Sequence, residues 1–182
     1  MITFKSREGG TWTIGQRQDQ IEPNSRWAIN PKSYKWGYIC FSPDKKVLGE
    51  RLVPISQPKP DVTELPDKGF PWSEQWTVNM KCLDGADAGR EGVYKPTTVG
   101  GIQAVAGSIE GLRNRLNADH HDGRIVPVVH LEKDSYQHGD YGRVYTPVLT
   151  VVDWMPLDGP ASAPAPAAPP PPVEPPRRRR VA

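Results

Sequence analysis

Along Glu74–Leu83 polar and apolar side chains alternate without a break. Trp76, Val78, Met80 and Cys82 fall on one side, Thr77, Asn79 and Lys81 on the other. A period of two over this length predicts a strand with one buried face. A different period covers Gly100–Asn117, where Ile102, Val105, Ile109, Leu112 and Leu116 recur at spacings of three and four. That stripe predicts an amphipathic helix, with Gln103, Glu110, Arg113 and Arg115 off it. Thr97 or Thr98 can supply the N-cap oxygen, and Asn117 can close the helix in a left-handed conformation. Gly107 and Gly111 each weaken an isolated helix by roughly 1 kcal/mol relative to Ala. The stripe therefore has to pack on something, and its neighbours all read as strands.

Ser33–Phe41 is the first clear strand, with Tyr34, Trp36 and Tyr38 on one face, Ile39 and Phe41 on the other, and Gly37 permitting a bend. Ser42–Lys46 is a turn, Val47–Ile55 a second strand, and Gln57–Pro71, with four prolines, an extended surface loop. A short strand at Gly92–Lys95 precedes the helix. Arg124–Leu131 follows it, then a ten-residue loop, Glu132–Tyr141, and a long strand, Gly142–Trp154. Val148, Leu149, Val151 and Val152 make that last strand apolar on both faces, as expected with cover on both sides. Residues 1–25 are poorly patterned and read as an arm that packs its tryptophan onto a domain at 26–156. Strand, strand, strand, helix, strand, strand is the element order of the OB-fold, a mainly β, five-stranded barrel with its helix between strands three and four. A generic α+β sandwich fits the same order.

Composition changes the picture at one place. Of 21 prolines, ten lie in the last 27 residues, so residues 157–182 read as a disordered Pro/Ala-rich tail ending in Arg177–Arg180. The net charge of +2 resides there as well: four arginines against Asp158 and Glu174 leave the body with 19 basic and 19 acidic groups. A neutral body argues against wrapping nucleic acid by charge alone, but leaves room for a locally basic groove. Two cysteines, Cys40 and Cys82, exclude a disulfide framework or a four-cysteine metal site and suit a reducing cytoplasm. The first residues carry no hydrophobic signal region, and no apolar run is long enough for a bilayer.

Catalytic chemistry finds little to work with. Asp119, His120, His121 and Asp122 cluster in one predicted turn, without the i, i+4 spacing of paired ligands. His130 and His138 have no cysteine partner, and there is no phosphate loop or nucleophile elbow. We expect neither an enzyme nor a cofactor or metal. The aromatics point instead to binding. Trp36 and Tyr38 on the first strand, with Tyr136 and Tyr141 in the loop before the last strand, are candidates for stacking on bases, at roughly 1–3 kcal/mol per base. Lys45 and Lys46 in the first turn, Lys81, Lys133, Arg143 and Arg177, Arg178, Arg179 and Arg180 are candidates for phosphate contacts. The competing expectation buries the aromatic row beneath the arm or the proline loop.

Trp27-Ala-Ile-Asn-Pro31, Lys35-Trp-Gly-Tyr-Ile-Cys40 and Asp134-Ser-Tyr-Gln-His-Gly-Asp-Tyr-Gly142, with Thr146-Pro147 and Val152-Asp-Trp154, resemble bacteriophage and prophage proteins of the OB-fold single-stranded DNA-binding kind. The similarity spans about residues 26–155. It implies a sequence-nonspecific coat for single-stranded DNA in phage replication or recombination, in the cytoplasm of an infected or lysogenic bacterium. Replication or recombination proteins would be further partners; RNA and oligomer formation are both compatible with it. The chain departs from that pattern where an acidic recruiting tip would be expected, since it carries Arg177–Arg180 instead. The alternative is a phage structural or host-interaction protein whose aromatic face binds another protein.

Overall fold

The computed structural model describes residues 1–118, 122–140 and 142–157. It is mainly β, a curled half-barrel of ten strands with one helix. The strands are β1 (Ile2–Lys5), β2 (Thr11–Ile14), β3 (Asp19–Gln20), β4 (Arg26–Ile29), β5 (Lys35–Phe41), β6 (Val47–Pro54), β7 (Trp72–Cys82), β8 (Glu91–Tyr94), β9 (Arg124–His138) and β10 (Gly142–Pro156). Helix α1 covers Val99–Asn117.

The best-patterned strand is also the hub. The C-terminal half of β7 pairs with β8 on one edge and β4 on the other, while its N-terminal half pairs with β5. β4 and β5 thus share one edge of β7, separated by a single 3-10 turn at Pro31–Ser33. Polar groups replace the missing ladder there. Asn30 Oδ1 accepts the Lys32 N–H, and the Asn79 N–H donates to Ser33 Oγ at 2.9 Å. From β7 the sheet continues through β4 to β9 and β10 on one side, and through β8 to β1, β2 and β3 on the other. β6 is an outer edge on β5.

The five strands of the OB-type order, with the short one before the helix, become ten. Residues 1–25, expected as an unpatterned arm, contribute β1 to β3, whose runs of four residues or fewer are too short to show a period. Ile2, Trp12 and Ile14 are core residues there, and Trp27 on β4 is fully buried. Glu132–Tyr141, expected as a loop, is the distal half of a ribbon. β9 continues to His138 in register with β10, Tyr136 opposite Val144 and Asp134 opposite Thr146. Polar residues on both faces hid that strand from a hydrophobic reading. The curl then brings the sheet's two arms together: Trp12 Nε1 donates to the Glu132 carbonyl at 2.8 Å and the Tyr145 N–H to the Ser6 carbonyl.

Helix α1 packs on β10, β9 and β7. Thr98 caps it, accepting the Gly101 N–H, and the chain leaves it through Ala118 in extended backbone rather than through a left-handed Asn117. The buried line is Gly101, Val105, Ser108 and Leu112, with Ile102 and Ile109 flanking; Leu116, expected on the stripe, is 48% exposed. The helix is rotated because Ser108 has a partner inside. Its hydroxyl donates to the Val105 carbonyl at 2.7 Å, leaving its oxygen to accept from Tyr34 Oη at 3.0 Å. On β10 Val152 is exposed while Leu149 is buried, so the second apolar face lacks the full cover expected for it. No helix among the described residues is long and apolar enough to cross a membrane.

Candidate nucleic-acid interface

The aromatic row lies on the same side of β5 and β7 as the core. Tyr34 is wholly buried under α1, and burial pushes its hydroxyl up to about 12. Further along, Trp36 stands opposite Trp76 with the rings edge to face at 5.6 Å, and Tyr38 stands opposite Glu74. The proline loop covers this part. Trp36 Nε1 donates to the Gln57 carbonyl and Trp72 Nε1 to the Pro66 carbonyl, while Lys59 reaches Glu74 at 3.0 Å and sits 5.4 Å above the Tyr38 ring. Burial alone would raise the Glu74 carboxyl, but bonds from Trp76 Nε1 and Lys59, with the Lys59 charge, hold it below the ordinary carboxylate range. Trp36 and Tyr38 are therefore half-buried and partnered, the arrangement weighed in the sequence against an open stacking platform.

The other candidates are scattered. Lys45, at φ +63°, and Lys46, paired with Asp44 at 3.0 Å, occupy the β5–β6 turn. Tyr136 and Arg143 are exposed on the β9–β10 ribbon but on opposite faces of it, since alternate residues share a face. Lys133 is on the Arg143 face and is tied down, donating to the Gly9 carbonyl and lying 5.0 Å over the Tyr145 ring. Lys81 projects from the outer face of β7 and pairs with Glu91 at 3.1 Å. Tyr141, His120, His121 and Arg177–Arg180 lie outside the described residues.

Around Lys81 the structure assembles a site that sequence reading missed. The outer face of β4, β7 and β8 carries an open groove of about 830 Å³ floored by Ala28, Asn79 and Val93. A second groove of about 570 Å³ shares Asn30, Lys32, Asn79 and Val93 with it and extends to Lys35, Lys95 and Glu50. Four lysines thus line one continuous depression: Lys32, Lys35, Lys81 and Lys95. Lys81 and Lys95 are neutralised by Glu91 and by Glu50, the latter at 3.0 Å. Lys32 and Lys35 are exposed and have no acidic partner among the described residues. The floor from Thr77 to Leu83 is on the order of 20 Å long at ~3.3 Å per residue. Such a surface can hold a few phosphates of an extended strand through unpaired ammonium groups and leave its bases outward. Apart from Lys81, no signal in the sequence marked it, because its lysines come from a 3-10 turn, two different strands and the residue after β8.

Among the described residues no cluster of His, Cys, Asp and Glu is arranged to hold a metal ion. No family model, curated protein or solved structure matches the chain.

Proposed function

We propose that this protein binds single-stranded nucleic acid without sequence preference and without catalysis, its phosphates running along the lysine groove of β4, β7 and β8. The observation that carries the reading is the pair Lys32 and Lys35, two exposed ammonium groups without acidic partners among the described residues, in one continuous depression with Lys81 and Lys95. Arg177–Arg180 add phosphate contacts in this reading, and Tyr136 and Arg143 on the ribbon offer a second contact region. From the OB-type expectation the proposal keeps the element order β5, β6, β7, α1, β9, β10 and the curled sheet. A phage replication or recombination module in a bacterial cytoplasm is the setting that the sequence resemblance suggests.

Anisotropy of a labelled oligo(dT) titrated with the full chain tests it. Each phosphate contact contributes roughly 0.7 to the slope of log affinity against log salt on a single strand. Lys32→Ala/Lys35→Ala should weaken binding at low salt and flatten that slope by about 1.4. No binding at low salt, or a slope unchanged in the double variant, sinks the proposal.

A second reading, docking of a protein partner, draws on a different place from the aromatic face. Phe41, Val47 and Leu48 are exposed around the β5–β6 turn, with Phe70 beside them through the Cys40 Sγ bond to its carbonyl. A complex held there would survive high salt, which phosphate contacts do not.

A further inference from the structure

A third depression, of about 750 Å³, lies where the proline loop folds against β6. Its apolar part is Trp72, Val53, Pro58 and Pro66, and Asp61 and Glu64 line it as well. Trp72 is held in place from two sides. Its Nε1 donates to the Pro66 carbonyl at 3.1 Å, and its ring tip lies so close to Gly49 that an added Cβ would come within 2.7 Å of it. Asp61 is held too, accepting from the Thr63 N–H at 2.9 Å and Oγ1 at 2.8 Å. Glu64 is exposed with no ion-pair partner among the described residues. Arg51 and Lys68 line the same depression and offset Asp61 and Glu64, while Glu50 is already bonded to Lys95, so its net charge is near zero; prolines would be selected by the apolar lining and a cation oriented locally by the two carboxylates.

A fixed aromatic ring flanked by prolines and acids is the surface that recognises a polyproline helix followed by a base. The chain carries one such segment. In Pro172-Val-Glu-Pro-Pro-Arg177 the spacing of three between the prolines at 172 and 175 would put them on one edge of a polyproline helix, and Arg177 follows with three more arginines. The geometry points to this segment as the occupant: we infer that residues 172–177 dock on the Trp72 pocket of their own chain.

Reach and route agree with docking in cis. Leu157 and Cys82 line the first groove and Trp72 lines this depression, so the span to bridge is about the length of β7, roughly 33 Å at ~3.3 Å per residue, together with a passage around the edge strand β6 of about one sheet thickness, ~10 Å. The fifteen residues Asp158–Pro172 cover about 45 Å at ~3.1 Å each in polyproline form. The route rounds a free edge. The first two grooves share Lys32 and Asn79 on the outer face, and Glu50 on the edge strand β6 lines both the second groove and the Trp72 depression, which opens on the opposite face of the sheet.

A nitroxide on Ala182→Cys of the full chain reads the contact, since Cys40 and Cys82 are buried and leave the new thiol as the accessible one. Paramagnetic broadening should concentrate on the Trp72 indole and the amides of Thr63 and Glu64, with Tyr136 on the ribbon as the remote reference. Asp61→Asn/Glu64→Gln keeps a capping side chain at 61 and should abolish that selective broadening, as should Pro172→Ala/Pro175→Ala, while tenfold dilution should leave it unchanged. Broadening spread evenly over the molecule, or insensitive to both double variants, overturns the inference. Loss on dilution overturns it too, by assigning the contact to a second copy. None of these outcomes depends on nucleic acid, so the inference can fail while the proposed function stands, and the reverse.

Discussion

Replacing Ser108 by Ala tests why α1 is seated where it is. Ser108 is 0% exposed and Tyr34 1%, and each hydroxyl has its partner inside the core. In Ser108→Ala the Tyr34 Oη loses its bond where water cannot replace it, a cost of about 1–3 kcal/mol. The better helix propensity of Ala returns up to about 0.7 kcal/mol. Tyr34→Phe removes the donor instead and leaves the Ser108 hydroxyl still bonded to the Val105 carbonyl, so only the net worth of one bond goes, about 0.5–1.5 kcal/mol. In the double variant no hydroxyl is stranded. Its loss should be smaller than the sum of the singles by about 1 kcal/mol. Urea unfolding of the four proteins with a common m value measures this directly. Strict additivity would refute the assignment of Ser108 as the acceptor that sets the helix rotation.

Two further outcomes follow from the same structure. Burial raises Tyr34 to about 12 from an unfolded value of about 10, and Tyr94 is also raised by burial. A raised folded value means the unfolded chain loses its proton first. The stability is therefore fully present below about pH 10 and is lost as pH rises from there towards 12. Tyr34→Phe should make the thermal midpoint fall less steeply over that window, and an unchanged steepness would count against the burial of this hydroxyl. At Gly37, with φ at +152°, an added Cβ would lie 1.9 Å from the Arg51 carbonyl oxygen, so Gly37→Ala must push β5 and β6 apart. We expect a loss of roughly 1–3 kcal/mol and faster amide hydrogen exchange along β6; wild-type exchange in the variant would show that the two strands tolerate the methyl.

What the sequence made legible was what repeats over many residues in one environment. β7 was readable because its alternation runs its full length with one face in the core. Helix α1 was readable from its aliphatic spacing, yet the line placed Leu116 inside and overlooked Ser108, since a hydrophobic pattern assigns no value to a buried hydroxyl that finds a partner. β1 and β2 were illegible because their burial depends on Trp12 meeting Glu132 and Tyr94 across the barrel, a contact with no local trace. The proline loop was recognised as a loop, but its covering of Trp36 and Tyr38 depends on carbonyls at Gln57 and Pro66 reaching indole nitrogens from another element. The lysine groove needed the β4–β5 break to exist at all, since without the turn at Pro31–Ser33 the ammonium groups of Lys32 and Lys35 would not flank the same stretch of β7.

The contact between the Trp12 indole and the Glu132 carbonyl, 120 residues apart, bears on how the chain is made. A ribosome delivers Trp12 early and Glu132 late, and until β9 emerges the first hairpin has only β8 to lean on, through the Ile2–Tyr94 pairing. The core that buries Trp12 is thus completed only when β9 arrives. Loop closure over such separations is slow, and it leaves the edge of β4 that β9 will cover open in the meantime. Folding of this body should therefore be completed only once β9 is available, with aggregation competing until that step.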